Sequence, residues 1–161
     1  SGSDQRVAAA LRRALSSGAE RFPEDVLELM ALFAGDPRVG FTAVPGAGAP
    51  VELWMLRSST YGAKLAAALG LPFSFAAHVA PVGIDEALAL YRDTFRPSTM
   101  LSHPHVMISY SVYAADNMAK ARLLASSMQQ GFIAMRGGGG VGGFPPPVQG
   151  FYERQSPTVA R

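Results

Sequence analysis

Residues 51–81 read VELWMLRSSTYGAKLAAALGLPFSFAAHVAP, and their order decides the fold. Val51–Leu56 is a short apolar run with one acid near its start, the pattern of a strand covered on both faces. Ser58, Ser59 and Thr60 follow, three hydroxyls that each suit a helix N-cap. Leu65 and Leu69 fall on one helical face across Ala66, Ala67 and Ala68, and alanine is the best helix former. Gly70 suits the left-handed position that closes a helix, and Pro72 forbids its continuation. Phe73–Val79 is apolar again. Strand, helix and strand in this order make a βαβ unit, whose two strands lie parallel.

Upstream, Val7, Leu11 and Leu15 recur every four residues and predict a helix with Arg6, Arg12 and Arg13 on its wet side. After a polar break, Phe22-Pro23-Glu24-Asp25 opens a second helix. Its proline sits near the first turn and its acids face the positive end of the macrodipole. Val26, Leu29, Met30 and Phe33 supply its apolar stripe, and Gly35-Asp36-Pro37 stops it. Gly40–Val44 reads as a short strand and Pro45–Pro50 as a loop. Downstream, Ile84–Phe95 is a helix with Leu88, Tyr91 and Phe95 on its buried face, ended by Arg96-Pro97-Ser98. His105–Ala115 reads as a long strand. Asp116 or Asn117 caps a last helix striped by Ala121, Leu124, Met128 and Phe132.

Composition then changes sharply. Residues 137–150, GGGGVGGFPPPVQG, cannot hold a regular element and are expected to be mobile or draped on a surface. The expected division is a main domain over 1–136 and a Gly/Pro-rich segment and tail over 137–161. From the middle onward the order is β-α-β-α-β-α, which means an α/β fold, doubly wound or barrel.

The bulk numbers exclude several classes. The chain has 161 residues, is 48% hydrophobic and 16% charged, and carries a net charge of +2. That suits one domain with a real core. An excess of two cations is no basic patch, so nucleic acid is not implied. Without cysteine there is no disulfide framework, thiolate nucleophile or Cys-bound zinc. No apolar run reaches the roughly 18 residues of a membrane span, and no signal peptide is visible. A soluble cytoplasmic protein is the default expectation, with Ser1 in place of Met read as a trimmed or tagged start.

Several segments in collinear order resemble the bacterial-luciferase-like, flavin-dependent monooxygenases. These are GSDQRVAAALRR from Gly2, FPEDVLELMALFAG, the TAVPG loop, ELWMLRSSTYGAKLAAALGLPFSFAAHVAP, ALALYRDTFRPS, HVMISYSVYAAD and FPPPV. SSTYGAKLAAALGLPFSFA and YRDTFRPS are the most specific pieces. The resemblance implies a (β/α)8 TIM-type barrel that binds reduced FMN at the carboxyl ends of its strands. Val51, Phe73 and Val106 would begin strands five, six and seven, with strands one to four absent. Length agrees, because such barrels take about 250 residues. A partial barrel is therefore expected, with two open sheet edges and apolar interior positions meeting water at Leu53 or Trp54, Phe73 or Phe75, and Met107 or Ile108.

The candidate cofactor-binding residues are Ser58, Ser59, Thr60 and Tyr61. A loop between a parallel strand and a helix N-terminus offers backbone N–H groups and a favourable dipole to an anion. By resemblance, Ser58 and Ser59 occupy positions that hold the FMN phosphate, with Thr60 and Tyr61 adding backbone donors. From the residues alone, plain N-capping is the favoured reading. Arg57 stands where relatives tend to have glycine. It either adds a bidentate phosphate contact or, the favoured reading, blocks the site or serves the surface. His78 ends a strand, where barrels place functional groups, and is named as a catalytic candidate against the alternative of a core histidine. His103 and His105 flank Pro104 with no carboxylate to complete a metal set, so no metal is expected. Ser109 and Ser111 alternate onto one strand face.

Two function classes stand. One is a truncated FMN-dependent monooxygenase. The other is a non-catalytic fragment that self-associates and binds no flavin. Expected partners are a second copy, as a homo-dimer or higher oligomer through sheet edges or faces, or a separate N-terminal half. By resemblance a flavin reductase joins them; nucleic acid and membrane do not.

Overall fold

The computed structural model describes residues 21–137 and 143–154. The helix expected over residues 7–15 lies outside them. The chain divides into two compact units, Ser1–Tyr110 and Ser111–Arg161.

The first unit holds a three-stranded parallel sheet in the order β1 (Met55–Arg57), β2 (Phe73–Phe75), β3 (Val106–Ile108). Helix α1 (Phe22–Ala34) precedes it. Helix α2 (Thr60–Leu69) joins β1 to β2, and α3 (Ile84–Thr94) joins β2 to β3. The α/β class and the parallel pairing agree with the sequence reading. Strand lengths do not. The runs 51–56, 73–79 and 105–115 each contribute three strand residues. Gly40–Val44 is bends and turn, not a strand, and its Val44 is 84% exposed.

Register sorts the side chains by face. Met55, Phe73 and Val106 pair, as do Arg57, Phe75 and Ile108; Leu56, Ser74 and Met107 pair between them and point the other way. The first face packs on the helices. Phe73 and Phe75 are fully buried there with Ala63, Ala66, Ala67, Ala87, Leu88 and Tyr91. Each such phenyl group contributes about 1.5–3 kcal/mol by burial. Neither phenylalanine therefore meets water on an open face, contrary to expectation. The exposed face carries Leu56, 56% exposed, and Met107, 50% exposed, on either side of Ser74.

Helix α2 packs against α3, and it buries alanine and glycine rather than leucine. Gly62, Ala63, Ala66 and Ala67 are its buried residues, while Leu65 and Leu69 are only partly covered. Tyr91 of α3 ties three elements. Its ring lies 5.4 Å from that of Phe73. Its hydroxyl donates to Leu71 O at 2.9 Å and accepts from His105 N at 3.2 Å. Burial pushes this phenol above its ordinary range.

The turn after α2 explains why LGLP and FRPS occur together. Gly70 closes the helix in left-handed geometry, φ 61°, and Ser98 Oγ donates to its carbonyl at 2.9 Å. The same oxygen accepts from Met100 N and Leu101 N, both at 3.1 Å. A methyl at Gly70 would lie 2.5 Å from Ser98 Cβ and 2.6 Å from Arg96 O.

In the second unit, Asn117 caps α4 (Met118–Arg136) through Lys120 N at 2.9 Å. The described part of the Gly/Pro-rich stretch lies along this helix. Fully buried Ser126 donates to Leu123 O at 2.6 Å and accepts from Val148 N at 2.9 Å. Gln130 Nε2 donates to Pro146 O at 3.1 Å. Gly131 leaves room for Phe144, whose ring would meet an added methyl at 3.0 Å. Draping, rather than mobility, describes residues 143–150. Among the described residues, no helix is long and apolar enough to cross a membrane.

Candidate functional site

Strand β1 stops at Arg57 and α2 starts at Thr60, so Ser58 and Ser59 form the whole connection. Ser59 takes the N-cap position with extended backbone, φ −146° and ψ 159°, yet its hydroxyl makes no capping bond. The helix begins with Ala63 N donating to Ser59 O at 3.3 Å. The N–H groups of Thr60, Tyr61 and Gly62 bond to no described group. Helix N-termini leave such donors orphaned, and caps, water or anions normally satisfy them. Here two exposed or half-buried serines stand beside open donors without using them. Thr60 is half-buried, and Tyr61 is exposed at the outer side of the first turn.

Arg57 takes a course that neither sequence reading contained. It points to the helix face of the sheet, where its stem crosses the first turn of α2. A methyl on Gly62 would lie 2.3 Å from Arg57 Cγ and 2.4 Å from Cβ. Beyond that gap, the guanidinium lies 4.0 Å from the centroid of the Phe22 ring. A cation over an aromatic face is worth about 0.5–1 kcal/mol at such a partly exposed site. Arg57 therefore bridges α1 and α2, and its stem does not lie across the Ser58–Ser59 connection. Gly62 and Phe22 were missed as its partners. One signal was available: a glycine inside an otherwise alanine-rich helix costs about 1 kcal/mol and asks for a packing reason.

The ladder continues past the last strand residues. Ala76 N donates to Arg57 O at 3.0 Å, Ser109 N to Phe75 O at 3.0 Å, and His78 N to Ser109 O at 2.9 Å. Ser58, His78 and Ser109 thus share the carboxyl rim of the sheet. His78 is half-buried, and its Nδ1 is enclosed without a hydrogen-bond partner. Ser109 is half-buried at the end of β3; Ser111 falls in the second unit. His105 leaves this rim altogether. Its ring meets Trp54 edge-on at 5.2 Å, at the opposite end of the strands.

These features define an α/β protein whose candidate site lies where the strands of a parallel sheet end and a helix begins. No profile of a known protein family matches the chain. Individual relatives do. It is 46% identical over 158 residues to a luciferase-like monooxygenase of Escherichia coli K12, covering 98% of this chain and 47% of that protein. It is 43% identical over 162 residues to the uncharacterized protein YvbT of Bacillus subtilis, covering 97% and 46% respectively. The crystal structure of apo-MsnO8 superposes with a TM-score of 0.72 at 28% identity, over 83% of this chain and 40% of that one. In sequence the chain is thus similar to a protein named luciferase-like monooxygenase, and it spans about half the length of the curated relatives it matches.

Proposed function

We propose that these residues are a portion of a luciferase-like (β/α)8 barrel, its strands five to seven, and that the 58–61 loop receives the phosphate of FMN. The observation that carries the site is the idle hydroxyl of Ser59 at an uncapped helix N-terminus. The donor set suits an anion: two serine hydroxyls, open first-turn N–H groups, and the positive end of the α2 dipole. Ser58 and Ser59 would hold the phosphate, and Thr60 and Tyr61 would add their backbone N–H groups. Bound reduced FMN would supply reaction with dioxygen and transfer of one oxygen atom to an organic substrate. The chain's own contribution is to bind and orient. Arg57, anchored on Phe22, holds the first turn of α2 in place beneath the loop. A cytoplasmic setting and a flavin reductase as supplier belong to this reading.

Fluorescence titration of FMN with the protein tests it. Quenching is expected, and Ser59→Ala should weaken it about tenfold, the worth of one charge-assisted hydrogen bond. Its folding stability should stay within about 0.5 kcal/mol of the parent, since an idle hydroxyl contributes no cap. Absence of quenching at high protein concentration refutes the flavin reading.

One observation favours a second reading, a self-associating piece without flavin. Leu56 and Met107 are exposed on the sheet face away from the helices, and among the described residues no strand pairs with the outer edges of β1 and β3. Sedimentation separates the readings: a monomer at every concentration removes the second.

A further inference from the structure

The imidazole of His78 has two unlike nitrogens. Its main chain is held firmly, with His78 N donating to Ser109 O at 2.9 Å and Val79 N to Ala76 O at 3.1 Å. Nδ1 is enclosed and meets no hydrogen-bond partner. Nε2 has no described partner either, but it is not among the enclosed atoms, so it reaches the surface of the rim. Neutral imidazole carries one N–H and one lone pair, and either nitrogen can hold the proton. A proton on Nδ1 would be an orphaned buried donor, which folded proteins tolerate less often than an under-used acceptor. A proton on Nε2 finds water or a ligand.

We propose that burial selects the Nε2–H tautomer and makes His78 a fixed hydrogen-bond donor at the carboxyl rim. Resting on the flavin reading above, its acceptor is an oxygen or nitrogen of the flavin bound at the neighbouring loop. His78 then recognises and positions; it is not poised to accept a proton through Nε2. This differs from the catalytic role that its place at a strand end suggested.

The test uses the full 161-residue chain labelled with ¹⁵N at histidine. Two-bond ¹⁵N–¹H correlation above the usual imidazole range assigns the tautomer without any ligand. Nε2–H with bare Nδ1 is expected, and an Nδ1–H tautomer overturns the proposal. Isosteric variants give the second readout. Glutamine places an amide N–H₂ near the position of Nε2, whereas asparagine places it near Nδ1. His78→Gln should keep the FMN affinity of the parent, while His78→Asn and His78→Leu lose about tenfold. Retention by asparagine with loss by glutamine also overturns it. If the parent protein binds no FMN, the flavin reading fails and the tautomer alone decides this proposal.

Discussion

Two helices of the first unit end in nearly the same way, which allows one close approach to be measured in isolation. Gly35 closes α1 with φ 68° and ψ 34°, and Gly70 closes α2 with φ 61° and ψ 36°. An alanine at either place pays for left-handed backbone, roughly 1–2 kcal/mol, offset by about 0.4–1 kcal/mol from a less flexible unfolded chain. At Gly35 the new methyl meets nothing nearer than 3.7 Å, which is ordinary contact. Gly35→Ala should therefore lose about 1 kcal/mol. At Gly70 the methyl would fall 2.5 Å from Ser98 Cβ and 2.6 Å from Arg96 O, so the 96–98 backbone must retreat. That retreat strains the bond from Ser98 Oγ to Gly70 O and the one from Arg96 N to Ala67 O. Two such bonds at about 1 kcal/mol each, added to the backbone term, put Gly70→Ala near 3 kcal/mol. Urea unfolding with linear extrapolation measures both variants. A gap of about 2 kcal/mol, or failure of Gly70→Ala to fold, is the expected result. Equal losses within about 0.5 kcal/mol would refute the contact argument.

Other substitutions probe the remaining contacts. Gly62→Ala should destabilise by about 1–3 kcal/mol because the methyl overlaps the Arg57 stem, despite alanine's better helix propensity. With Arg57→Gly in the same chain the sign should reverse to a gain of about 0.5–1 kcal/mol, and a double-mutant cycle without coupling would sink this account. Ser126→Ala strands the Val148 N–H against α4, so hydrogen exchange at that amide should quicken; unchanged exchange there contradicts the pinning role. Asp36 is held at about 2 rather than the usual 3.8, chiefly by the Arg38 side-chain hydrogen bond and then by Arg38 N. Because the folded value is depressed, this contact supports its turn above the ordinary carboxylate range and is lost as pH falls through about 2. Arg38→Gln should raise the Asp36 value toward 3.8 in a carboxyl NMR titration, and an unmoved midpoint would disprove the pairing.

The sequence by itself determined the alternation of strands and helices from residue 51 onward, the ends of those helices and the kinship. Helix ends are local: Gly35, Gly70 and Asn117 act within one turn of their own positions, so residue type predicts them. Parallel pairing was also legible, since an intervening helix leaves two strands no other easy arrangement. Periodicity reports which residues favour burial but not which neighbours will cover them. The 105–115 run is therefore apolar enough for a long strand, yet only Val106–Ile108 finds a partner in register. The same limit put Phe73 or Phe75 on the open face by expectation, while the packing of α2 and α3 covers both. At the site, the Ser58–Ser59 connection and its helix were readable from hydroxyl and alanine positions. The idle Ser59 hydroxyl, the course of Arg57 over Gly62 to Phe22, and the inward Nδ1 of His78 were not. Each depends on atoms brought together from separate parts of the chain, and only the assembled tertiary structure sets those distances.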